Sequence, residues 1–512
     1  LNGMFAFVLW DRRRRRALLA RDHFGIKPLY LHVTPERVLF ASEIKALLVP
    51  GGVRAEADSE AVWQYLTFQY VLGGGTMFRG VSVVGPGEYQ LLDLASGNRQ
   101  VVRYWQPTFH VDSTSSEEMF AERIGTLLDD AIRLQLRSDV PVGAYLSGGM
   151  DSSIVTLLAA RHLGDSMPVF TGRFDEGPEF DESGYARIVA ESCHASMHLV
   201  TPTADEFVTE LPRLIYHMDE PVAGPGLFPQ AMVSREASRH VKVVLGGQGG
   251  DEVFGGYARY LLAYFEQVFK GAIHETNEEA EHIVSLASIL PNLPSLRQYV
   301  PMMQQFWRSG LFEDMDRRYF RLIDRSGGAI SLLATEFRQS HPVDALFERF
   351  QTVFNHPDTG SYFNKMTHYD MVTNLPALLQ VEDRVTMMSS LESRVPLLDH
   401  RLTDVVASMP PGMKFRGGEL KYILKRVIGD LLPPPILHRK DKMGFPVPLH
   451  LWARGPAREF ISDILLSRRT RERGIFDVAE LEKQMDVTPA FSRQLWGPLN
   501  LELWFRTFID NA

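Results

Sequence analysis

Two glycine-rich stretches hold the residues whose types and spacing suit chemistry. One is Tyr145–Ser153, YLSGGMDSS; the other is Leu245–Tyr257, LGGQGGDEVFGGY, with six glycines. Each follows a short apolar run, PVGAYL or VKVVL, that reads as a strand. A glycine turn leading into a helix presents backbone N–H groups, and with the helix N-terminus it makes an anion cradle. Ser147, Ser152 and Ser153 add hydroxyl donors, while Asp151 places a carboxylate where a bare phosphate would be repelled. A divalent cation removes that conflict, because Mg²⁺ binds through one or two carboxylates together with phosphate oxygens. The loop lacks the lysine of G-x-x-x-x-G-K-[ST], so it is a different kind of phosphate site. The second loop also runs into an acid, Asp251. One SGG turn alone is an ordinary strand-to-helix connection. Two such loops are expected to set Asp151 and Asp251 on facing sides of one crevice, with one Mg²⁺ bridged to a pyrophosphate. Glycine at this density implies a close approach to the backbone, and a polyphosphate with its metal is the expected visitor.

Elements able to position these loops are legible around them. From residue 115 onward, EEMFAERIGTLLDDAIRLQL has helical spacing, then PVGAYL (strand), DSSIVTLLAARHL (helix), MPVFTGRF (strand), ESGYARIVAESC (helix), SMHLV and VKVVLGG (strands). Strands alternating with helices of this length predict a parallel, doubly wound sheet, with ligands beyond the strands' carboxyl ends. Past residue 257 the chain reads as mostly helical, with proline breaks at 433–435 and 446–448. Residues 1–108 read as β-rich, from runs such as MFAFVLW, PLYLHV and RVLFAS, and PTFHVDSTSSE is a linker or helix cap. The arginines of DRRRRR are expected in a solvated hairpin turn.

The 512 residues suggest two domains. With 45% apolar residues, 23% charged residues and a net charge of −9, the composition is globular and argues against nucleic acid as the main partner. One cysteine excludes an internal disulfide framework, and no apolar run reaches the length of a membrane span, so a cytoplasmic location is expected. Sixteen histidines show no H-E-x-x-H or comparable metal spacing.

LSGGMDSS resembles the pyrophosphate-loop signature of the ATP pyrophosphatases. The chain as a whole resembles glutamine-hydrolysing asparagine synthetases, through LNGMFAFVLWD, RDHFGIKPLY, FASEIKALL, GGDEVFGGY, LESRVPLLDHRL and RKDKMGFPVPLHLW, in that order from residue 1 to about 455. The resemblance implies an α/β chain of two parts. Residues 1–108 would be the C-terminal part of an N-terminal-nucleophile glutaminase domain, and residues 115–512 a doubly wound ATP pyrophosphatase (synthetase) domain with a helical C-terminal region. It implies an ATP-dependent carbon–nitrogen ligase. ATP adenylates a carboxylate, that of aspartate in the simplest case, and ammonia from glutamine displaces AMP. ATP and Mg²⁺ are the implied cofactors, and a homodimer is compatible with the family. Carried over by position, Leu146, Ser147, Gly148, Gly149, Asp151, Ser152, Ser153, Gly172, Gly246 and Gly247 would contact the nucleotide. Asp151 and Asp251 would hold the metal, and Lys442 would stabilise charge on the pentavalent phosphorus, with Lys440 two residues away.

Three departures bear on these expectations. Family members begin Met-Cys with a nucleophilic cysteine, whereas this chain opens with Leu1 in a strand already under way. It is expected to be a fragment with no glutaminase nucleophile of its own, Cys193 being a packed small hydrophobe. Gln248 stands where the synthetases carry a glutamate tied to forming the β-aspartyl-adenylate. The helix after Leu375-Pro376 has its acids late, at Glu382 and Asp383, which would either supply the charge Gln248 lacks or be ordinary surface charges. Glu392 and Arg394 are read as a buried ion pair shaping the site rather than as catalytic groups. Two alternatives stand beside asparagine synthesis. One is a relative amidating another carboxylate (a sugar acid, a peptide side chain or a β-lactam precursor); the other is a catalytically silent ATP-binding homologue.

Overall fold

The computed structural model describes residues 1–93, 95–164, 167–274, 300–325, 330–417, 419–439, 442, 444–487 and 492–510. The N-terminal part holds two antiparallel sheets. Strands β1 (Ala6–Asp11), β2 (Arg16–Arg21), β6 (Glu88–Asp93) and β7 (Asn98–Arg103) form one in the order β1-β2-β6-β7. Strands β3 (Tyr30–Val33), β4 (Val38–Ala41) and β5 (Ser82–Val83) form the other in the order β4-β3-β5. Asp11 pairs with Arg16, so the arginine run is the hairpin turn expected of it, with Arg12–Arg15 exposed. Helix α1 (Ser59–Phe68) was not legible as a helix. Residues 61–68 are all buried, so its sequence lacks the polar face that reveals a helical period.

The second part is a five-stranded parallel sheet of β8 (Val142–Tyr145), β9 (Pro168–Gly172), β10 (Ser196–Val200), β11 (Val243–Leu245) and β12 (Glu392–Arg394), in the order β10-β9-β8-β11-β12. Helices α2 (Glu117–Gln135), α3 (Met150–Leu163), α4 (Ser183–Ser192), α5 (Ala204–Met218) and α6 (Leu227–Ala237) connect and flank the strands. Their starts follow local chemistry. Ser116 caps α2 by accepting from Met119 N–H, and Thr203 with Glu206 forms a reciprocal capping box on α5. The buried positions Phe120, Ile124, Leu128, Ala131 and Ile132 give α2 its core stripe. Strand β12, three residues with charged ends, carries no apolar signal. It is a strand because Glu392 and Arg394 fall in register with Val243 and Leu245.

Buried polar contacts join the two parts. Asp219, fully buried, accepts from Ile44 N–H at 2.8 Å and from Lys45 Nζ at 2.9 Å, and pairs with Arg384 at 3.1 Å. Glu220 accepts from Met77 N–H at 2.6 Å, and Lys27 Nζ donates to Asp383 at 2.8 Å. Asp383 therefore faces the N-terminal part rather than the glycine loops.

Candidate active site

β8 and β11 are neighbours, with Ala144 opposite Leu245, so both glycine loops leave the sheet side by side at its carboxyl edge. The first loop closes on itself. Ser147 N–H donates to Ser152 Oγ at 3.2 Å, Gly149 N–H to Ser147 Oγ at 3.3 Å, and the Ser152 and Ser153 hydroxyls to Gly149 O at 3.1 and 2.7 Å. Gly149 is the N-cap of α3, which puts Asp151 in the helix's first turn. The second loop presses against the first. A Cβ on Gly247 would stand 2.7 Å from Ser152 N. The close approach that the glycines betray is thus, at Gly247, the backbone of the partner loop rather than a polyphosphate. The loops themselves do face one another, as expected.

Between them lies a cleft of about 410 Å³. Asp151, Asp251 and Lys442 of its lining converge with Lys421, which is buried and does not line it. Lys421 Nζ donates to Asp151 Oδ1 and Oδ2 at 2.6 and 2.7 Å and pairs with Asp251 Oδ1 at 2.5 Å. Lys442 Nζ lies 3.2 Å from Asp251 Oδ2 and 3.7 Å from Asp151 Oδ2. Burial alone would raise the Asp251 carboxyl, but Lys421 and Lys442 outweigh it and hold that group well below the usual carboxylate range. The Asp251 charge, joined by that of Asp151, raises Lys442 against its burial, so it remains a cation at neutral pH. Two carboxylates aimed at one cationic position are the oxygen donor set that Mg²⁺ takes, so Asp151 and Asp251 fit a metal.

Lys421 was not singled out from the sequence. It precedes the short helix Tyr422–Ile428 and adopts a left-handed φ of 56°. Its stem runs against Gly256, where a Cβ would sit 1.9 Å from Lys421 Cε. That contact explains one of the glycines in GGY.

Of the expected nucleotide contacts, Leu146, Ser147, Gly149, Asp151, Ser152, Gly246 and Gly247 line the cleft. Gly148, Ser153 and Gly172 lie behind the lining. The space a Gly172 side chain would need holds the Phe445 ring, 2.6 Å from the Cβ position. Lys440 lies outside the described residues. Gln248 lines the cleft and donates from Nε2 to Glu382 Oε2 at 3.4 Å. Glu382 also accepts from Gln230 Nε2 and from Ser393 Oγ, both at 2.5 Å. Burial raises its carboxyl despite those three donors. Of the two acids of that helix, Glu382 is therefore the one beside Gln248.

Two further cleft residues carried no sequence signal. Glu252 accepts from the Tyr257 hydroxyl, and burial pushes its carboxyl up to about 7, the Asp251 charge adding to the rise. Arg493 donates to Gln69 Oε1 at 2.9 Å and pairs with no carboxylate among the described residues; burial lowers it to about 9. Glu392 and Arg394 do pair, at 2.6 Å, but Glu392 is 40% exposed and Arg394 also donates to Gln135 O and Arg137 O. Cys193, half-buried at the end of α4, donates to Val189 O at 3.3 Å, and burial raises its thiol. No helix of the described residues is long and apolar enough to cross a membrane.

Comparison with known proteins places the chain in a family. Residues 123–506 match the family model described as asparagine synthase, and residues 1–105 match the glutamine amidotransferase domain. A Mycobacterium tuberculosis protein provisionally named asparagine synthetase (glutamine-hydrolyzing) is 33% identical, aligned over 100% of this chain and 78% of its own length. Asparagine synthetase (glutamine-hydrolyzing) 1 of Bacillus subtilis is 30% identical with the same coverage. A relative with another name, amidase chry2 of Gibberella zeae, is 27% identical over 96% of this chain and 76% of its own length. With an amidotransferase domain followed by a synthase domain on a parallel α/β sheet, the chain belongs to the glutamine-hydrolysing asparagine synthetase family.

Proposed function

We propose that this chain adenylates a carboxylate with ATP and transfers ammonia to it, aspartate being the acceptor. The observation that carries the reading is the convergence of Asp151, Asp251, Lys421 and Lys442 between two loops at the carboxyl edge of the sheet. A carboxylate is a poor electrophile because hydroxide leaves badly. When its oxygen attacks the α-phosphorus, pyrophosphate departs, and AMP becomes a good leaving group for the attacking ammonia. Mg²⁺, held by Asp151 and Asp251, would offset charge on the departing pyrophosphate. Lys442, permanently cationic and lining the cleft, stabilises charge that peaks in the transition state. The N–H groups of the first loop and the α3 N-terminus orient the phosphates.

Acceptor recognition rests on Arg493 and Glu382. Arg493, bonded to the neutral Gln69 and to no carboxylate among the described residues, offers a guanidinium suited to a carboxylate. Glu382, held against Gln248, supplies the negative charge that Gln248 lacks and has the proton affinity of a base. A zwitterionic acceptor such as aspartate uses both. The neutral Gln248 favours a second reading, an acceptor without a free amino group at that point, and the amidase name of one relative keeps it in view. Pyrophosphate release measured across candidate carboxylates tests both. Aspartate-dependent release with asparagine formed is the expected result. Release with another carboxylate alone would move the substrate assignment, and release with none would overturn the adenylating mechanism.

A further inference from the structure

Outside the cleft, the fold brings together His198, Glu236 and His240, whose ligand atoms all lie within 4.8 Å of one another. His198 is the central residue of β10, the edge strand of the parallel sheet. Glu236 lies in the last turn of α6. His240 follows four residues later, where the chain is still turning and its N–H donates to Ala237 O at 3.0 Å. Residues four apart share one face of such a turn. His240 Nε2 stands 3.0 Å from Glu236 Oε1. Arg239 donates to the other oxygen, Oε2, at 2.7 Å, which orients the carboxylate and leaves Oε1 toward the histidine. The two imidazoles are 4.0 Å apart between centroids, and the Phe170 ring packs on both, at 5.2 Å from His198 and 5.8 Å from His240. Side chains already fixed in this way lose less entropy when a ligand arrives. Burial, with His240 adding to it, lowers His198 from its ordinary range, in the direction of the neutral imidazole that a metal takes.

We propose that His198, Glu236 and His240 form a transition-metal site of the zinc class, with three protein ligands and a fourth position for water. Two imidazoles and one carboxylate suit Zn²⁺, whereas Mg²⁺ and Ca²⁺ take oxygen ligands throughout. Metal–ligand bonds of about 2.0–2.1 Å in a tetrahedral site put ligand atoms roughly 3.3 Å apart, a small side-chain adjustment from the observed cluster. The metal would brace the edge strand against the end of α6. That helix lines the cleft with Leu227, Gln230 and Val233, and Phe170 belongs to both places. The sequence hides the site because one ligand comes from a strand distant in the chain, and the remaining Glu-x-x-x-His spacing is commonplace.

The test is a titration of the tag-free chain, without nucleotide, with Co²⁺ followed by Zn²⁺. One Co²⁺ per chain, with the intense visible d–d absorption of a four-coordinate site and displacement by Zn²⁺, is expected. His198→Ala and His240→Ala should each weaken binding by roughly 100-fold or more, beyond the cost of disturbing an outer partner. Glu236→Gln, which keeps the shape, should weaken it as well. His240 is 36% exposed, so its variant folds even if removal of the strand histidine does not. Affinity and stoichiometry unchanged in His240→Ala, or a parent chain that binds no more tightly than free imidazole, would overturn the proposal.

Discussion

Lys421 is the sharpest point at which to perturb the site. Methionine is close to it in length and unbranched, so Lys421→Met removes the ammonium while leaving most of the packing. Asp151 then keeps only Lys442, at 3.7 Å, and Asp251 keeps the same lysine at 3.2 Å. Removing one member of a buried pair costs about 3–5 kcal/mol, because the other charge stays buried without compensation. Lys442 remains but is 39% exposed, which favours the lower end, about 3 kcal/mol. At about 2.1 cal/mol/K of unfolding entropy per residue, a domain of roughly 400 residues then loses roughly 4 °C of thermal midpoint, about 1.2 °C per kcal/mol. A ligand at 100 times its dissociation constant stabilises by about 2.7 kcal/mol, so saturating Mg²⁺ should restore nearly all of the loss in the variant. The parent, with an ammonium already between the carboxylates, should respond to Mg²⁺ without nucleotide much less. Gly256→Ala should also destabilise the cluster, since its Cβ would stand 1.9 Å from Lys421 Cε and 2.1 Å from Asp251 Oδ1 and force both to move. The assay is thermal unfolding of the parent and both variants, with EDTA or excess Mg²⁺. A variant as stable as the parent in EDTA, or an equal Mg²⁺ response in all three, would refute the account of Lys421 as the cation holding these aspartates.

Three further outcomes are expected. Lys442→Ala should lower kcat by about 10²–10³-fold, the scale for removing one transition-state donor, while ATP binding measured by calorimetry changes little; weakened ATP binding with turnover intact would reassign the residue. With aspartate as acceptor, Glu382→Gln should depress adenylation and Gln248→Glu should keep or raise it, as followed by pyrophosphate release; the opposite pattern would separate the acceptor's amino group from this corner of the cleft. Burial lifts Glu220 from 4.5 to about 7. Its protonated form therefore stabilises the fold fully below about pH 4.5, and that contribution is lost as pH rises through about 7, amounting to about 3 kcal/mol at 1.36 kcal/mol per unit. Glu220→Gln retains an acceptor for Met77 N–H and should flatten the fall in stability over that window; an unchanged pH profile would show that the group does not titrate there.

The sequence by itself determined the parallel α/β sheet, the two glycine loops at its edge and the family, because strand–loop–helix punctuation and motif order are local properties of the chain. It also presented Asp151, Asp251, Lys442 and Gln248 as the residues to examine. What it left open was decided by contacts between distant segments. Glu382 and Asp383 are adjacent in one helix, yet Glu382 turns to Gln248 and Asp383 to Lys27, because successive helical positions point in different directions and two separate surfaces pack on that helix. Lys421, far from either loop in the chain, reaches both aspartates only because Gly256 leaves room for its stem. β12 exists only as a partner of β11, having no periodicity of its own. The histidine pair behind Phe170 joins a strand to the end of a helix. Local pattern records which elements form; the neighbour that each side chain meets depends on how those elements pack, and that information is spread over the whole chain.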